Sequence, residues 1–187
     1  MKKLALLFAA MLATSSLALA ADTYTIDGAH TSANFSVRHM GISTVHGRFL
    51  DVSGTILFDE KSPEKSSVTA VIKSATVTTD NAQRDKHLNT PDFFDTATYP
   101  EIKFQSTSVR NTGGKYIAAG NLTIRDVTKQ VEIPFTLAQG KGPKGEARIG
   151  VEGTLVINRY DYHVNYDPTG LGVGKDVTID LSVEAVK

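Results

Sequence analysis

The amino-acid sequence predicts an all-β protein whose strands form an antiparallel sheet, either closed as a barrel or folded as a sandwich. Apolar and polar residues alternate in many segments, which places successive side chains on opposite faces of a strand. Turn-forming clusters separate these segments, and one region alone has helical spacing. A closed barrel of about eight strands has no unpaired edge and can hold one small ligand. Periodicity by itself does not separate the barrel from the sandwich.

The first twenty residues have the pattern of a secretory signal peptide. Two lysines precede an apolar run from Leu4 to Leu12, and Ala18 and Ala20 supply the small side chains of a cleavage site. The run is shorter than the roughly 20 residues that a spanning helix needs. We therefore expect cleavage at about Ala20-Ala21, a mature domain of residues 21–187 without stable membrane insertion, and a periplasmic or secreted location.

The composition of the mature chain excludes several classes of function. Removal of residues 1–20 takes two lysines away and leaves 18 basic and 20 acidic residues. Nucleic acid would therefore find no excess of positive charge to bind. The chain has no cysteine, which excludes disulfides, thiol catalysis and thiolate metal ligands.

Strands are predicted along most of the mature chain. Apolar side chains occupy every second position from Val177 to Ala185, and the same pattern occurs in residues 116–124 and 131–137. Turn-forming clusters lie between such segments: Asp59-Glu60-Lys61-Ser62-Pro63, Asn111-Thr112-Gly113-Gly114 and Gly140-Lys141-Gly142-Pro143-Lys144-Gly145. Because connections of this kind let neighbouring strands pair as hairpins, we predict an antiparallel meander.

The connection from Asp80 to Phe94 is the region with helical spacing. Asp80 is in a position to cap a first short helix that reaches Leu88, and Thr90-Pro91 has the pattern of an N-cap followed by proline at the first helical position. We predict two short helices here. Tyr99-Pro100 then returns the chain to an extended strand, because a residue before proline avoids the helical region.

Particular motifs then resemble one family, the YceI family, over essentially the whole mature chain. They are Ile26-Asp27-Gly28-Ala29-His30-Thr31-Ser32-Ala33-Asn34-Phe35-Ser36-Val37-Arg38-His39-Met40, Gly47-Arg48-Phe49 leading into Gly54-Thr55-Ile56, Thr79-Asp80-Asn81 through Arg84-Asp85-Lys86-His87-Leu88, Asp92-Phe93-Phe94-Asp95, Tyr99-Pro100-Glu101-Ile102-Lys103-Phe104, Gly120-Asn121-Leu122-Thr123-Ile124-Arg125-Asp126-Val127-Thr128-Lys129 and Ile157-Asn158-Arg159-Tyr160-Asp161-Tyr162. The last motif departs from the family pattern, because Tyr160 and Tyr162-His163 stand where the family more often has phenylalanine followed by glycine.

The resemblance implies a single antiparallel lipocalin-like β-barrel of about eight strands with an elongated apolar cavity. It further implies an exported protein that is not an enzyme and that carries or sequesters a long-chain lipid. The implied ligand is a polyisoprenoid, such as a quinone precursor or a prenyl phosphate, or a fatty-acyl-type lipid. No cofactor is expected, and a homodimer is compatible with the sequence.

The predicted ligand contacts are mostly apolar, because a lipid tail gains roughly 0.8 kcal/mol for each methylene that it buries. His39 shares strand phase with Phe35 and Val37, and Arg84 could bind an anionic head group through its planar fork. The predicted ligand-binding residues are Phe35, Val37, His39, Phe49, Phe58, Ile72, Arg84, His87, Leu88, Phe93, Phe94, Phe104, Leu122, Ile124 and Phe135.

Alternative interpretations of the polar residues stay open at this point. Asp85 could pair with a cation and brace the short helices, or it could work with His87 in an enzyme that acts on lipids. A structural, stress-related protein whose barrel is filled by side chains is a further alternative. We predict no metal site, since the spacing of His30, His39 and His46 does not make them converge on one point.

Overall fold

The computed structural model describes residues 21–187, so the predicted signal peptide lies outside the described residues. Strands dominate this part of the chain, with one short α-helix, α1 (Ala82–Leu88). The strands are β1 (Asp22–Ile26), β2 (Ser32–His39), β3 (Ser43–Phe49), β4 (Val52–Phe58), β5 (Ser67–Lys73), β6 (Val77–Thr78), β7 (Glu101–Thr112), β8 (Lys115–Ile124), β9 (Val127–Lys141), β10 (Ala147–Asn158) and β11 (Val173–Val186). Within residues 21–187, no helix has both the length and the apolar composition needed to cross a membrane.

The strands close into an antiparallel barrel with eight strand positions, which we call walls. This confirms the predicted fold class. Three walls are interrupted strands, formed by β1 with β2, β3 with β4, and β5 with β6, and β7 to β11 supply one wall each. Neighbouring walls follow one another along the chain. The barrel closes because β11 pairs with β2 over Val173–Ser182 and with β1 at Ala185 and Val186.

The two ends of the barrel differ in construction. One end, which we call the helix end, carries α1, the turn between β2 and β3, the turn between β8 and β9, and the 159–172 segment. The opposite end, which we call the terminal end, carries Ala21, where the described residues begin, together with Lys187 and the turns after β4, β7 and β9. Lys187 forms an ion pair with Asp22 there, at 2.6 Å between Nζ and Oδ1.

The helical connection differs from the prediction in two respects. Asn81, not Asp80, caps α1, because Asn81 is extended and its side-chain oxygen accepts the Arg84 amide at 3.0 Å, while Asp80 has a left-handed backbone (φ 58°). The expected second helix at Pro91 is a run of turns. The Phe94 amide donates back to the Leu88 carbonyl, which turns the chain away from a helical path.

The core consists of two buried clusters, one at each end. The helix-end cluster combines strand residues with residues of the connections: Phe49, Val77, Leu88, Phe93, Ile102, Leu122, Ile124, Tyr162 and Val164. The terminal-end cluster lies entirely on strands: Tyr24, Ile26, Ile56, Phe58, Ile149 and Ala185. The two clusters therefore occupy opposite ends of one continuous barrel interior.

Candidate ligand-binding site

An apolar cavity of about 240 Å³ runs through the barrel and is lined by residues of both clusters. Its walls are mainly aliphatic and phenylalanine side chains, which the two-residue alternation of the strands directs inward. The lining residues with charged or amide side chains are Asn34, Lys103 and Arg159, and of these Arg159 alone is buried. Water is largely excluded from an apolar cavity of this kind, so its surface suits a hydrocarbon chain.

Inward-facing glycines keep this interior from being filled. Phe35 on β2 lies directly opposite Gly47 on β3, and Phe135 on β9 lies opposite Gly153 on β10. A Cβ atom on Gly47 would lie 2.3 Å from Cζ of Phe35, so the ring occupies the place where a side chain would stand. The Phe35 ring can lie against the barrel wall because its cross-strand partner has no side chain.

Most residues predicted to contact the ligand are brought together around the cavity. Those that line it are Phe35, Val37, Phe49, Phe58, Ile72, Leu88, Phe93, Phe94, Phe104, Leu122, Ile124 and Phe135. His39, Arg84 and His87 lie outside it. Contact of any of these residues with a ligand stays a prediction.

His39 does not point inward as its strand phase suggested. It is exposed at the last pair of β2, opposite Val173, and the pairing of β11 slips between Val173 and Val177. This irregularity breaks the alternation on which the expectation depended. The three histidines considered for a metal site are dispersed, with His46 exposed on β3 and His30 bonded to Asp27 at 2.9 Å.

A separate polar cluster contains Asp27, His30 and Glu184, whose ligand-type atoms lie within 4.8 Å of one another. The guanidinium of Arg148 already occupies it, at 3.0 Å from Asp27 and in an ion pair with Glu184. Hydrogen bonds from His30 and Arg148 lower the pKa of Asp27. The cluster therefore ties β1, β10 and β11 together through an arginine.

Arg84 and Asp85 brace the connection around Thr79. Asp85 accepts the Thr79 amide at 2.8 Å and the Thr79 hydroxyl at 2.5 Å, and Arg84 Nε donates to the same hydroxyl at 2.7 Å. Partial burial acts to raise the pKa of Asp85, but the bonds from Thr79 and Thr78 outweigh it and lower that pKa. The bracing role proposed for Asp85 fits this geometry, although its partners are mainly threonines.

His87 has a different set of neighbours. Its Nε2 lies 2.7 Å from Asp92 Oδ2, and its ring meets the rings of Phe93 and Tyr166 edge to face at about 5 Å. His87 and Asp85 are therefore held by separate partners. His87 covers Phe93 from outside and so supports the cavity wall indirectly.

Sequence reasoning missed many of the aliphatic lining residues, among them Leu155 and Ile157 of β10 and Ile179 and Leu181 of β11. It also missed a buried charged residue, Arg159. It belongs to the turn Arg159–Tyr162 after β10, it is 4% exposed, and it lines the cavity. Burial lowers its pKa. His163, where the family more often has glycine, ends this turn in the left-handed region (φ 57°), a conformation that glycine adopts without strain. The available signal was an arginine two positions after the apolar run Leu155-Val156-Ile157.

A closed eight-walled antiparallel barrel around an apolar cavity defines the class of lipocalin-like β-barrels. A family model described as a YceI-like domain matches residues 24–185. Protein YceI of Escherichia coli O157:H7 is 40% identical over 193 residues, covering 100% of this chain and 99% of that protein. A UPF0312 protein of Pseudomonas syringae pv. tomato is 40% identical over 181 residues, covering 94% of each. The chain belongs to the YceI family.

Solved structures agree with this assignment. The Campylobacter jejuni YCEI protein superposes with a TM-score of 0.72 at 32% identity, covering 80% of this chain and 89% of that one. Burkholderia cenocepacia BcnA has a TM-score of 0.79 at 23% identity, covering 85% and 98%. A polyisoprenoid binding domain from Saccharophagus degradans has a TM-score of 0.66 at 18% identity, covering 87% and 97%. The last two likenesses establish the shared fold.

Proposed function

We propose that the protein is an exported, non-enzymatic binding protein that carries or sequesters a long-chain lipid of the polyisoprenoid class in its barrel cavity. The observation that carries the proposal is the cavity itself, because a barrel filled by its own side chains would leave no such space. The polyisoprenoid binding domain of the same fold supports the choice of ligand class.

The energetics of such binding come from the tail. Each buried methylene contributes roughly 0.8 kcal/mol, so a chain of ten carbons can be held by apolar contact alone. The cavity volume of about 240 Å³ lies just below the roughly 300 Å³ at which ordinary ligand pockets begin. A long polyisoprenoid therefore extends beyond the cavity or displaces the phenylalanine rings that line it.

Export to the periplasm or the medium is the second component of the proposal. Its support is the lysine-flanked apolar run and the Ala18-Leu19-Ala20 site in the sequence. N-terminal sequencing of the protein recovered from periplasm and from medium tests it. A mature N-terminus at Ala21 is expected, and recovery of the full chain in the cytoplasm alone would refute export.

The test of binding is native mass spectrometry on gently purified protein, with a pair of variants on one strand. Leu155 lines the cavity, whereas its neighbour Val156 is 59% exposed on the outer face. A glutamate at the inner position places a charge in the path of the tail, which costs several kcal/mol. We expect a co-purified hydrophobic mass with the wild-type protein and with Val156→Glu, and its loss with Leu155→Glu.

Circular dichroism confirms that both variants are folded before they are compared. Titration with a prenyl alcohol gives the affinity of each. Equal binding by Leu155→Glu and the wild-type protein would show that the lipid does not occupy the cavity. A wild-type protein that carries no lipid and binds no prenyl alcohol would refute the function.

A further inference from the structure

Two neighbouring turns at the helix end carry exposed apolar side chains. Met40 and Ile42 lie on the turn between β2 and β3, and Leu171 lies on the segment before β11. Ile42 is 80% exposed and Leu171 is 78% exposed, the highest values among the large apolar side chains of the described residues. The Met40 amide donates to the Gly172 carbonyl at 2.8 Å, which joins the two turns. We call the surface formed by Met40, Ile42 and Leu171 the apolar tip.

The apolar tip adjoins the wall of the cavity. Val173, two residues after Leu171, lines the cavity and pairs with His39 at the end of β2. Val37, three residues before Met40, lines the cavity as well. Apolar surface therefore extends from the interior to the exterior of the barrel within two or three residues on each of the two segments.

The backbone amides of the apolar tip all donate within the protein. Besides the Met40 amide, the Ile42 amide donates to the His39 carbonyl at 3.0 Å. The Leu171 amide donates to the Thr169 hydroxyl at 3.2 Å. An amide that leaves water without a partner destabilises the state that buries it. These turns can therefore enter an apolar medium with their amides already bonded.

Two cations lie beside the apolar tip. The guanidinium of Arg38 donates to the Gly41 carbonyl at 2.7 Å and to the Thr44 hydroxyl at 2.9 Å, which holds it on the turn between β2 and β3. Lys175 is exposed near the start of β11. Within residues 21–187 neither cation forms an ion pair.

The acidic side chains of the same region are placed differently. The carboxylate of Asp167 accepts the amides of Gly172 and Val173 at 2.6 and 2.8 Å, so it is engaged by its own segment. Asp176 pairs with Asn158, the last residue of β10, and so lies one position further from the tip than Lys175. The surface nearest the apolar side chains is therefore positive.

We propose that the apolar tip docks the barrel reversibly on the surface of an anionic lipid bilayer. Its three apolar side chains enter the interface, and Arg38 and Lys175 meet the anionic head groups. The proposal deepens the proposed function and rests on it, because a carrier takes its long-chain lipid from a membrane. Projecting turns with these exposures suit a fluid surface, whereas a protein partner needs a matching pocket.

The first test measures binding to vesicles by co-sedimentation. The protein used begins at Ala21, because the barrel closes within the described residues and the apolar run from Leu4 to Leu12 would itself bind lipid. Vesicles of equal parts phosphatidylglycerol and phosphatidylethanolamine are compared with vesicles of phosphatidylcholine. We expect tighter binding to the anionic vesicles, weakened by added salt.

Two outcomes separate this proposal from the proposed function. A protein that binds a prenyl alcohol in solution but neither kind of vesicle would overturn the docking surface and leave the lipid-binding function standing. A protein that binds vesicles but no prenyl alcohol would refute the proposed function, and with it docking as a step in lipid loading.

Aspartate variants assign the binding to the apolar tip. Ile42→Asp and Leu171→Asp each remove an inserted side chain whose burial is worth about 10-fold or more in partitioning. Leu50→Asp is the matched control, because Leu50 is 62% exposed between β3 and β4 on the side of the barrel. We expect at least about 10-fold weaker binding for the first two variants and no change for the control. Equal effects in all three, with folding checked by circular dichroism, would overturn the proposal.

A tryptophan reporter tests insertion without relying on a loss of binding. The chain has no tryptophan, so a single one reports on its own surroundings. In Leu171→Trp the fluorescence should shift to the blue on vesicles and be quenched by brominated lipid, because an interfacial indole leaves water. Leu50→Trp should show neither change. Quenching in Leu50→Trp and not in Leu171→Trp would show that another face docks.

The charge contribution is tested with a pair of lysines. Lys175→Gln should weaken binding to the anionic vesicles about fivefold. Lys115→Gln, at an exposed position of the turn after β7 at the terminal end, is the control and should have no effect. The same loss in both variants would mean that the net charge of the protein, and not the apolar tip, sets the preference for anionic lipid.

A second copy of the chain is the competing occupant of the apolar tip. Analytical ultracentrifugation of the wild-type protein and of Leu171→Asp distinguishes the two. We expect the same oligomeric state for both. A wild-type dimer that Leu171→Asp converts to a monomer, together with no binding to vesicles, would make the tip an interface between copies and overturn docking on a bilayer.

Discussion

Each end of the barrel buries an apolar cluster, but the two ends hold their clusters in different ways. At the terminal end every buried cluster residue lies on a strand, so its position is fixed by the ladder of backbone hydrogen bonds. At the helix end Leu88, Phe93, Tyr162 and Val164 lie on connections. For the binding function proposed above, we expect a ligand to enter at the helix end, because connections can move without breaking the barrel.

A single side chain joins those connections. Arg125, in the turn between β8 and β9, donates through Nη1 to the carbonyls of Phe93 at 2.9 Å, His163 at 2.6 Å and Pro91 at 3.3 Å. Its guanidinium also lies 5.4 Å from the ring centroid of Tyr99. The helix end is therefore closed by side-chain bonds, and the terminal end is closed by strands.

The largest expected effect comes from truncation at the terminal end. Ile149 is 1% exposed, and Ile149→Ala should lower the free energy of unfolding by about 2–5 kcal/mol through lost burial and a new cavity. Leu88→Ala at the helix end is the matched variant and should cost less, because α1 can separate locally. Urea denaturation measures both. Equal losses would mean that the two ends unfold as one unit.

Removal of the arginine that joins the connections should act locally. Arg125→Ala deletes hydrogen bonds from a charged donor, each worth about 1.5–3 kcal/mol at most and less where solvent reaches. We expect faster amide exchange in residues 90–99 and faster release of a bound lipid, with little change in the strands of the terminal end. Hydrogen exchange read by mass spectrometry separates the regions. Uniform loss of protection across the barrel would contradict a local role.

A smaller effect is expected where a phenylalanine lies against a glycine. In Gly47→Ala the new methyl group must displace the Phe35 ring, which can swing into the cavity at a cost of about 0.5–1.5 kcal/mol for an unfavourable rotamer. Affinity for a prenyl alcohol should fall while the thermal midpoint changes little. Gly150→Ala is the control, since a Cβ there meets no atom within 4 Å. Unchanged affinity in Gly47→Ala would show that the ligand does not need the space beside Phe35.

The smallest expected effect is a loss of stability at acidic pH, which arises from Asp167 at the helix end. Hydrogen bonds from Thr169, Val173 and Gly172 lower the pKa of Asp167 to about 2. Because the folded pKa is below the ordinary value, the stabilisation is present above about pH 4 and is lost as the pH falls toward 2. Asp167→Asn should flatten the stability profile in that window, and Asp176→Asn, at an exposed position of β11, should not. Thermal melts between pH 5 and pH 2 measure this.

The sequence predicts the strands, because burial of one face leaves a two-residue period that can be read directly, and it predicts the phenylalanines of the cavity wall but few of the aliphatic residues beside them. It did not predict that Phe35 lies on Gly47, since that contact depends on cross-strand register. The expectation that His39 points inward was wrong for a related reason. The register shift in the pairing of β11 with β2 leaves no pattern in the sequence of β2. Arg159 was quoted in a motif, but its burial follows from the path of residues 163–174, which no local pattern encodes.

The order of strands along the chain also bears on how the protein is made. β11 is the last strand, yet it supplies the partner for β10 and for the first wall of the barrel, including the pair of Ala185 with Ile26. During synthesis the barrel cannot close until β11 has left the ribosome. Until then the chain can form only an open sheet with an exposed apolar face. Chaperones bind surfaces of this kind. For the export proposed above, such late closure keeps a newly made chain unfolded enough to cross a membrane as an extended polypeptide.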